Sequence, residues 1–122
     1  MLMTCATGGD VLIKNAEAEH NGALINCIQA MGAHVQSDGS SIRIRKTMRL
    51  KPIEFTQTSP FPGFPTDLQP QLMAVLTLAD GMSVIQENIY ENRFKAAYTL
   101  CALGADISIR VIDSQTSHAV IH

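Results

Sequence analysis

Two stretches of this chain carry the same order of apolar and polar positions. Laying LIKNAEAEHNGALINCIQAMGAHV over VIQENIYENRFKAAYTLCALGADI sets Gly32 on Gly104 without a gap, and Glu19, Ala30 and Ala33 on Glu91, Ala102 and Ala105. Apolar positions agree more fully than identities do: Leu12 falls with Val84, Ile13 with Ile85, Ile28 with Leu100, Met31 with Leu103 and Val35 with Ile107. A few identities alone could arise by chance, but a shared periodicity argues for one supersecondary unit used twice. We take the copies as residues 10–45 and 82–121, joined by residues 46–81.

Each copy predicts the same elements. The runs Val11–Lys14 and Ser83–Glu87 are rich in branched apolar residues, as strands are. Leu24, Cys27, Ile28 and Met31 then recur at i, i+3, i+4 and i+7, a helix with one apolar stripe, and Gly32 supplies the permissive residue past its end. Ala96, Leu100, Leu103 and Gly104 repeat that arrangement. Further on, Ile42 and Ile44 alternate with Arg43 and Arg45, and Ile107, Ile109 and Val111 with Ser108 and Arg110, which predicts strands with one wet face. SDGSS and DSQTS provide turn chemistry, so each copy closes in a hairpin.

A third helix is predicted over Thr66–Ala79, with Thr66 and Gln69 at capping-box positions and Asp67 in the first turn. Beyond Gln71 its only polar residue is Thr77, and a helix apolar on all sides is buried with other elements around it. The same offset sets Met3–Gly9 against Val75–Gly81. MLMTCATGG therefore reads as the tail of an equivalent buried helix, and the chain as truncated.

Composition narrows the function classes. With 122 residues and 46% hydrophobic content the chain fits one globular domain. A net charge of −2 gives no long-range pull on a polyanion. Cys5, Cys27 and Cys101 are odd in number and widely spaced, which points to reduced thiols rather than disulfides or zinc. His20, His34, His118 and His122 lack metal-ligand spacing and read as surface residues, so no metal ion or cofactor is expected. The N-terminal residues lack a basic region followed by an apolar run, and no window approaches the roughly 20 apolar residues of a membrane span. A cytoplasmic protein without a membrane partner is expected. RIRKTMRLK holds Arg43, Arg45, Lys46, Arg49 and Lys51 without interleaved aromatics, so a solvated sheet face with a following turn is favoured over a nucleic-acid track. Cys5 beside TGG reads as a buried structural thiol. ATGGD is not a dinucleotide fingerprint, because its order is helix, turn, strand.

The candidate chemistry lies in SPFPGFPTDLQPQ, Ser59–Gln71, where three prolines and a glycine lead onto the third helix. On local grounds Asp67 in a first turn simply complements the helix dipole. Arg93 in the first turn of the next helix is poorly placed unless an acidic partner or a ligand phosphate holds it, and a salt bridge to Glu91 or Asp67 is the simpler expectation. Ile89 reads as a packing residue at a strand end.

TGGDV, SPFPGFPTDLQPQLMAVLTLADGMSVIQENIYENRF and LGADI, taken together, resemble the UDP-N-acetylglucosamine 1-carboxyvinyltransferase family of the EPSP synthase-like superfamily. The likeness runs over almost the whole chain. It implies an α/β (α+β) inverse barrel of the enolpyruvyl transferase type, with sheets outside and helices inside, of which this chain supplies about two of the three repeated units of one domain. It also implies transfer of the enolpyruvyl group of phosphoenolpyruvate to the 3-hydroxyl of UDP-N-acetylglucosamine in peptidoglycan synthesis, with both compounds as partners. In that family the aspartate of PTD, here Asp67, holds the sugar hydroxyl and acts as base, a role that typically contributes about 10²- to 10⁴-fold. Pro60, Pro62 and Pro65 would then aim the carboxylate in advance. The resemblance further implies a main-chain contact to the sugar nucleotide at Ile89 and a place near the interdomain cleft for Arg93. Two departures stand out: Pro70, about a turn into its helix, and KAAYTLCALGADI, which lacks the family's histidine. Because the second domain implied by the family is missing from these residues, the chain alone is expected to be inactive; because its threefold arrangement is incomplete, part of the apolar helix cluster is expected to be exposed and to drive self-association. The alternatives are a shikimate 3-phosphate transferase on the same fold and a non-catalytic interaction domain derived from it.

Overall fold

The computed structural model describes residues 1–46 and 48–122. Helix α1 (Leu2–Thr7) buries Leu2, Thr4 and Cys5, and the chain then turns into strand β1 (Gly9–Lys14). A 3-10 turn over Glu19–Asn21 leads into α2 (Gly22–Ala30). Its stripe of Leu24, Cys27 and Ile28, continued by Met31, is buried as the periodicity predicts. Gly32, at φ +92, frees the Ala33 amide to donate to the Ile28 carbonyl and its own amide to donate to that of Gln29. That pair of bonds is a Schellman cap, and a side chain at Gly32 would strain it. Strands β2 (His34–Ser37) and β3 (Ser41–Lys46) follow.

The second half starts with β4 (Thr56–Gln57) and a 3-10 turn over Thr66–Leu68, then runs through α3 (Gln69–Leu76) and β5 (Ser83–Glu87). Helix α4 (Lys95–Ala102), β6 (Ile107–Val111) and β7 (Ser117–Ile121) complete it. The sheet orders are β1-β3-β2 and β4-β5-β7-β6. Leaving aside β4, which pairs parallel to β5, all pairs are antiparallel, and in both sheets the last strand of a hairpin returns to lie between its partner and an earlier strand. The two hairpin turns are built alike. Asp38 Oδ1 accepts from the amides of Ser40 and Ser41, and Asp113 Oδ1 from those of Gln115 and Thr116. Each is an Asx turn, in which a short carboxylate replaces a backbone acceptor.

The core is drawn from α1, α2, α3 and the inner faces of β3, β5 and β7, with Ile28, Met31, Ile42, Ile44, Leu72, Met73, Ile85 and Ile121 sealed from solvent. Each such side chain removed from water contributes about 1.5–3 kcal/mol. Helix α3 packs on α1, α4 and β5, the interior position its all-round apolar sequence predicts.

Several expectations need correction. The Thr66–Gln69 capping box does not form: the Thr66 hydroxyl donates to Glu87, and Gln69 is wholly buried. A buried carboxyl oxygen has drawn the hydroxyl away from the helix end. Helix α3 begins only at Gln69, so Pro70 stands in its first turn, where the missing amide has no partner to lose. Lys46 lies within β3 rather than in the turn after it. His118 is half-buried on β7, its Nε2 2.7 Å from Gln86 Oε1 and its ring edge-on to Phe55. The predicted stripe of α4 is covered only in part: Ala96 and Leu100 are half-buried against the core, Ala97 beside them is buried, and Leu103 is 80% exposed.

Candidate functional site

The segment Ser59–Phe64 folds back on itself. The Ser59 amide donates to the Phe64 carbonyl and the Gly63 amide to that of Pro60. At Gly63 a β-carbon would meet Ser59 Oγ at 1.8 Å and the Pro60 carbonyl oxygen at 3.0 Å, so a larger residue would turn the serine hydroxyl aside and crowd the loop backbone. Pro65, extended at φ −72 and ψ 135, then delivers the chain into the turn that carries Asp67. The proline-rich sequence thus yields a closed loop whose two ends, Thr58 and Phe64, are bridged.

Across from this turn, strand β5 ends at Glu87 and the chain runs through Asn88–Arg93 into α4. Arg93 Nη2 donates to Asp67 Oδ1 at 2.8 Å, and its guanidinium lies 5.6 Å from the centre of the Tyr90 ring. The simpler expectation for Arg93, an ion pair with Asp67, is therefore what the geometry contains. Asp67 presents 86% of its side chain to solvent, whereas Arg93 presents 36% and keeps its Nε buried without a partner among the described residues. Beside the pair lies an open concavity of about 540 Å³, lined by Pro70, Tyr90, Glu91, Asn92, Arg93 and Lys95 among others. Asp67 meets it through the arginine. A second concavity of about 440 Å³ is lined by Asn88, Ile89, Tyr90, Glu91 and Gln115. Ile89 stands at its wall, with its amide committed to Glu87 Oε1 at 2.8 Å.

The residue that joins these parts escaped the sequence reading. Glu87 has no exposed surface, and its carboxyl group accepts from four donors: Thr58 Oγ1 at 2.8 Å, Thr66 Oγ1 at 3.0 Å, and the amides of Ile89 and Tyr90 at 2.8 and 3.2 Å. Thr58, equally buried, accepts in turn from the Asn88 amide. A period-two reading of β5 could have found it, because Ser83, Ile85 and Glu87 share the inward face. Gln69 was also missed as a site neighbour. Its side-chain amide is sealed from solvent and finds no partner among the described residues, an arrangement that costs roughly 1–3 kcal/mol.

Other candidates do not join this cluster. Arg43 and Arg45 on β3 both bond Asp10, and Arg49 beyond the strand bonds Asp80, so these three cations are already paired. Cys5 and Cys27 are buried, and burial pushes both thiols above their ordinary pKa; Cys101 is exposed. Among the described residues no helix is long and apolar enough to cross a membrane.

Comparison with known proteins sets this geometry in context. Residues 1–122 match the family described as EPSP synthase (3-phosphoshikimate 1-carboxyvinyltransferase). The chain is 43% identical over 110 residues to the UDP-N-acetylglucosamine 1-carboxyvinyltransferase of Myxococcus xanthus, covering 90% of this chain and 26% of that protein. It is 44% identical over 103 residues to the enzyme of that name from Koribacter versatilis, covering 84% and 24%. The chain thus spans about a quarter of the length of these relatives. Its fold matches the crystal structure of the enolpyruvyl transferase NikO from Streptomyces tendae with a TM-score of 0.74 over 97% of this chain and 28% of that one, at 20% identity. With the family pattern matched from end to end and the fold of an enolpyruvyl transferase, the chain belongs to the EPSP synthase family.

Proposed function

We propose that this chain is part of an enzyme that transfers the enolpyruvyl group of phosphoenolpyruvate to the 3-hydroxyl of UDP-N-acetylglucosamine. The observation that carries the reading is the meeting of the PTD turn and the ENRF turn, with Asp67 and Arg93 joined at 2.8 Å. In the net exchange the sugar oxygen forms a bond to C2 of phosphoenolpyruvate, the bond from C2 to the phosphate oxygen breaks, and the hydroxyl proton leaves with inorganic phosphate. Asp67 is the base that first takes that proton, and its exposure leaves it open to a sugar hydroxyl arriving from solvent. Arg93 holds the carboxylate in place through Nη2. Ile89, whose amide is already given to Glu87, offers its carbonyl and side chain to the sugar nucleotide.

Residues 10–45 and 82–121 are read as copies of one unit, supported by their matching strand order and hairpin turns. The chain alone is inactive in this reading, since groups for the opposite wall of the cleft come from a second domain. Its exposed Tyr98, Leu103 and Val111 drive self-association of the isolated chain, which sedimentation tests directly. Unpaired thiols fit a reducing compartment, and we assign the protein to the cytoplasm.

A chimera tests the substrate assignment. This chain replaces the matching quarter of the Myxococcus xanthus relative, and phosphate release from phosphoenolpyruvate is followed. Release that depends on UDP-N-acetylglucosamine and is lost in Asp67→Asn is expected. Release that depends on shikimate 3-phosphate instead would transfer the chain to the second reading.

A further inference from the structure

We propose that Glu87 is the positioning residue of the site, a single carboxyl group that fixes the Asp67 turn against the Ile89–Arg93 turn. The inference rests on the function proposed above, because it assigns those two turns to one substrate site.

The argument starts from cost. An inward position on β5 beside Ile85 suits an apolar side chain, and a carboxyl group there loses its hydration. Burial of an acceptor is tolerated only when directed donors replace water. Four donors do so at Glu87, and no cation is among them. Their origin is what assigns the role. Thr58 opens the proline-rich loop and Thr66 follows its closing end, while the amides of Ile89 and Tyr90 open the segment that ends in Arg93. Oε1 collects Thr58, Ile89 and Tyr90; Oε2 collects Thr66, the neighbour of Asp67. The two oxygens of one rigid group therefore set the spacing of the two turns, and the Asp67–Arg93 pair forms across the gap they define. Simple packing of a strand end requires neither threonine hydroxyl.

Isosteric changes separate positioning from bulk stability. Thr66→Val removes only the donor, Thr66→Ser keeps it, and Glu87→Gln turns an amide nitrogen toward Thr66 while leaving an oxygen for the other three donors. In the ligand-free 122-residue chain, nuclear magnetic resonance should show the Ile89 and Tyr90 amide signals moving in Glu87→Gln. The Arg93 side-chain signal should move in Thr66→Val and return in Thr66→Ser. In the chimera described above, binding of UDP-N-acetylglucosamine should weaken about tenfold in Thr66→Val, the scale of one lost bond to a charged group, and recover in Thr66→Ser. Equal affinities for the valine and serine variants, or an unmoved Arg93 signal, would overturn the proposal. If the chimera binds no sugar nucleotide while the signals move as stated, Glu87 keeps its role and the substrate reading fails.

Discussion

Helices α2 and α4 carry matching apolar patterns and are covered to different depths. On α2 the stripe from Leu24 to Met31 disappears into the core, and the partner strand β3 seals Ile42 and Ile44 completely. On α4 the corresponding stripe is covered only in part: Ala96 and Leu100 are half-buried against the core, whereas Leu103 is 80% exposed, with Tyr98 beside it 74% and Val111 on β6 73% exposed. The difference teaches that periodicity in a sequence records a face meant for burial, while the contact that buries it is a separate fact. It also bears on function, because the candidate site lies between α3 and the entry to the open helix α4, where Arg93 sits.

Truncating the two stripes is the strongest way to break this comparison. Ile28→Ala removes a side chain with no exposed surface, and a loss of about 2–5 kcal/mol is expected for such a cavity. Leu103→Ala should stay within about 0.5 kcal/mol in the isolated chain, as exposed positions do. Denaturant titration of both variants, at a concentration where the parent is monomeric, gives the two numbers. Equal losses would mean that α4 is covered in solution.

The cysteines offer a chemical version of the same contrast. Cys5 and Cys27 belong to the closed half, buried and with burial raising their pKa, which starves them of reactive thiolate. Cys101 stands on α4 and is exposed. A thiol reagent at neutral pH should therefore modify Cys101 promptly and the other two only on unfolding. Rapid modification of Cys27 would show that the contact between α2 and Thr56, where its Sγ lies 3.9 Å from the hydroxyl, opens readily.

Smaller still is the effect on stability expected at the site itself. Asp67 is 86% exposed, and an ion pair with so exposed a partner contributes about 0–1 kcal/mol. Asp67→Asn should leave the unfolding midpoint nearly unchanged. A large loss would identify the pair as a structural strut rather than a site poised for a ligand.

How much of this was legible beforehand follows from the range of each interaction. The helices, their glycine caps, both Asx turns and the buried α3 were readable because each depends on residues within a few positions of one another. The family resemblance carried by PGFPTD and ENRF agrees with the family match and with the curated relatives. Glu87 was only half legible: the alternation along β5 turns it inward, but what it does there depends on Thr58 and Thr66, far away in sequence. Thr66 misled in the same way, since SPFPGFPTDLQ contains a capping pattern and the competing acceptor lies on another strand. The exposure of Leu103 could not be read at all, because the pattern does not say where its partner is.

The closed half also contains the smallest effect expected, at Asp10 on the outer face of β1. Hydrogen bonds from Arg43 and then Arg45, with their charges adding to the effect, hold its carboxyl at about 2, below the ordinary 3.8. A carboxyl group whose pKa is lowered on folding contributes stability above its unfolded value and loses it as pH falls through the folded one. Asp10→Asn should therefore be slightly less stable than the parent near neutral pH, and the gap should shrink as pH falls from about 3.8 toward 2. The shifts of Asp38 and Asp113, also held low by their turn hydrogen bonds, are common to both proteins and cancel in the difference. Because the pair is exposed, added salt should narrow the gap at neutral pH as well. A gap that persists undiminished at pH 2 would mean that the Asp10 side chain acts through packing, and that the paired surface of the first sheet owes its order to something other than charge.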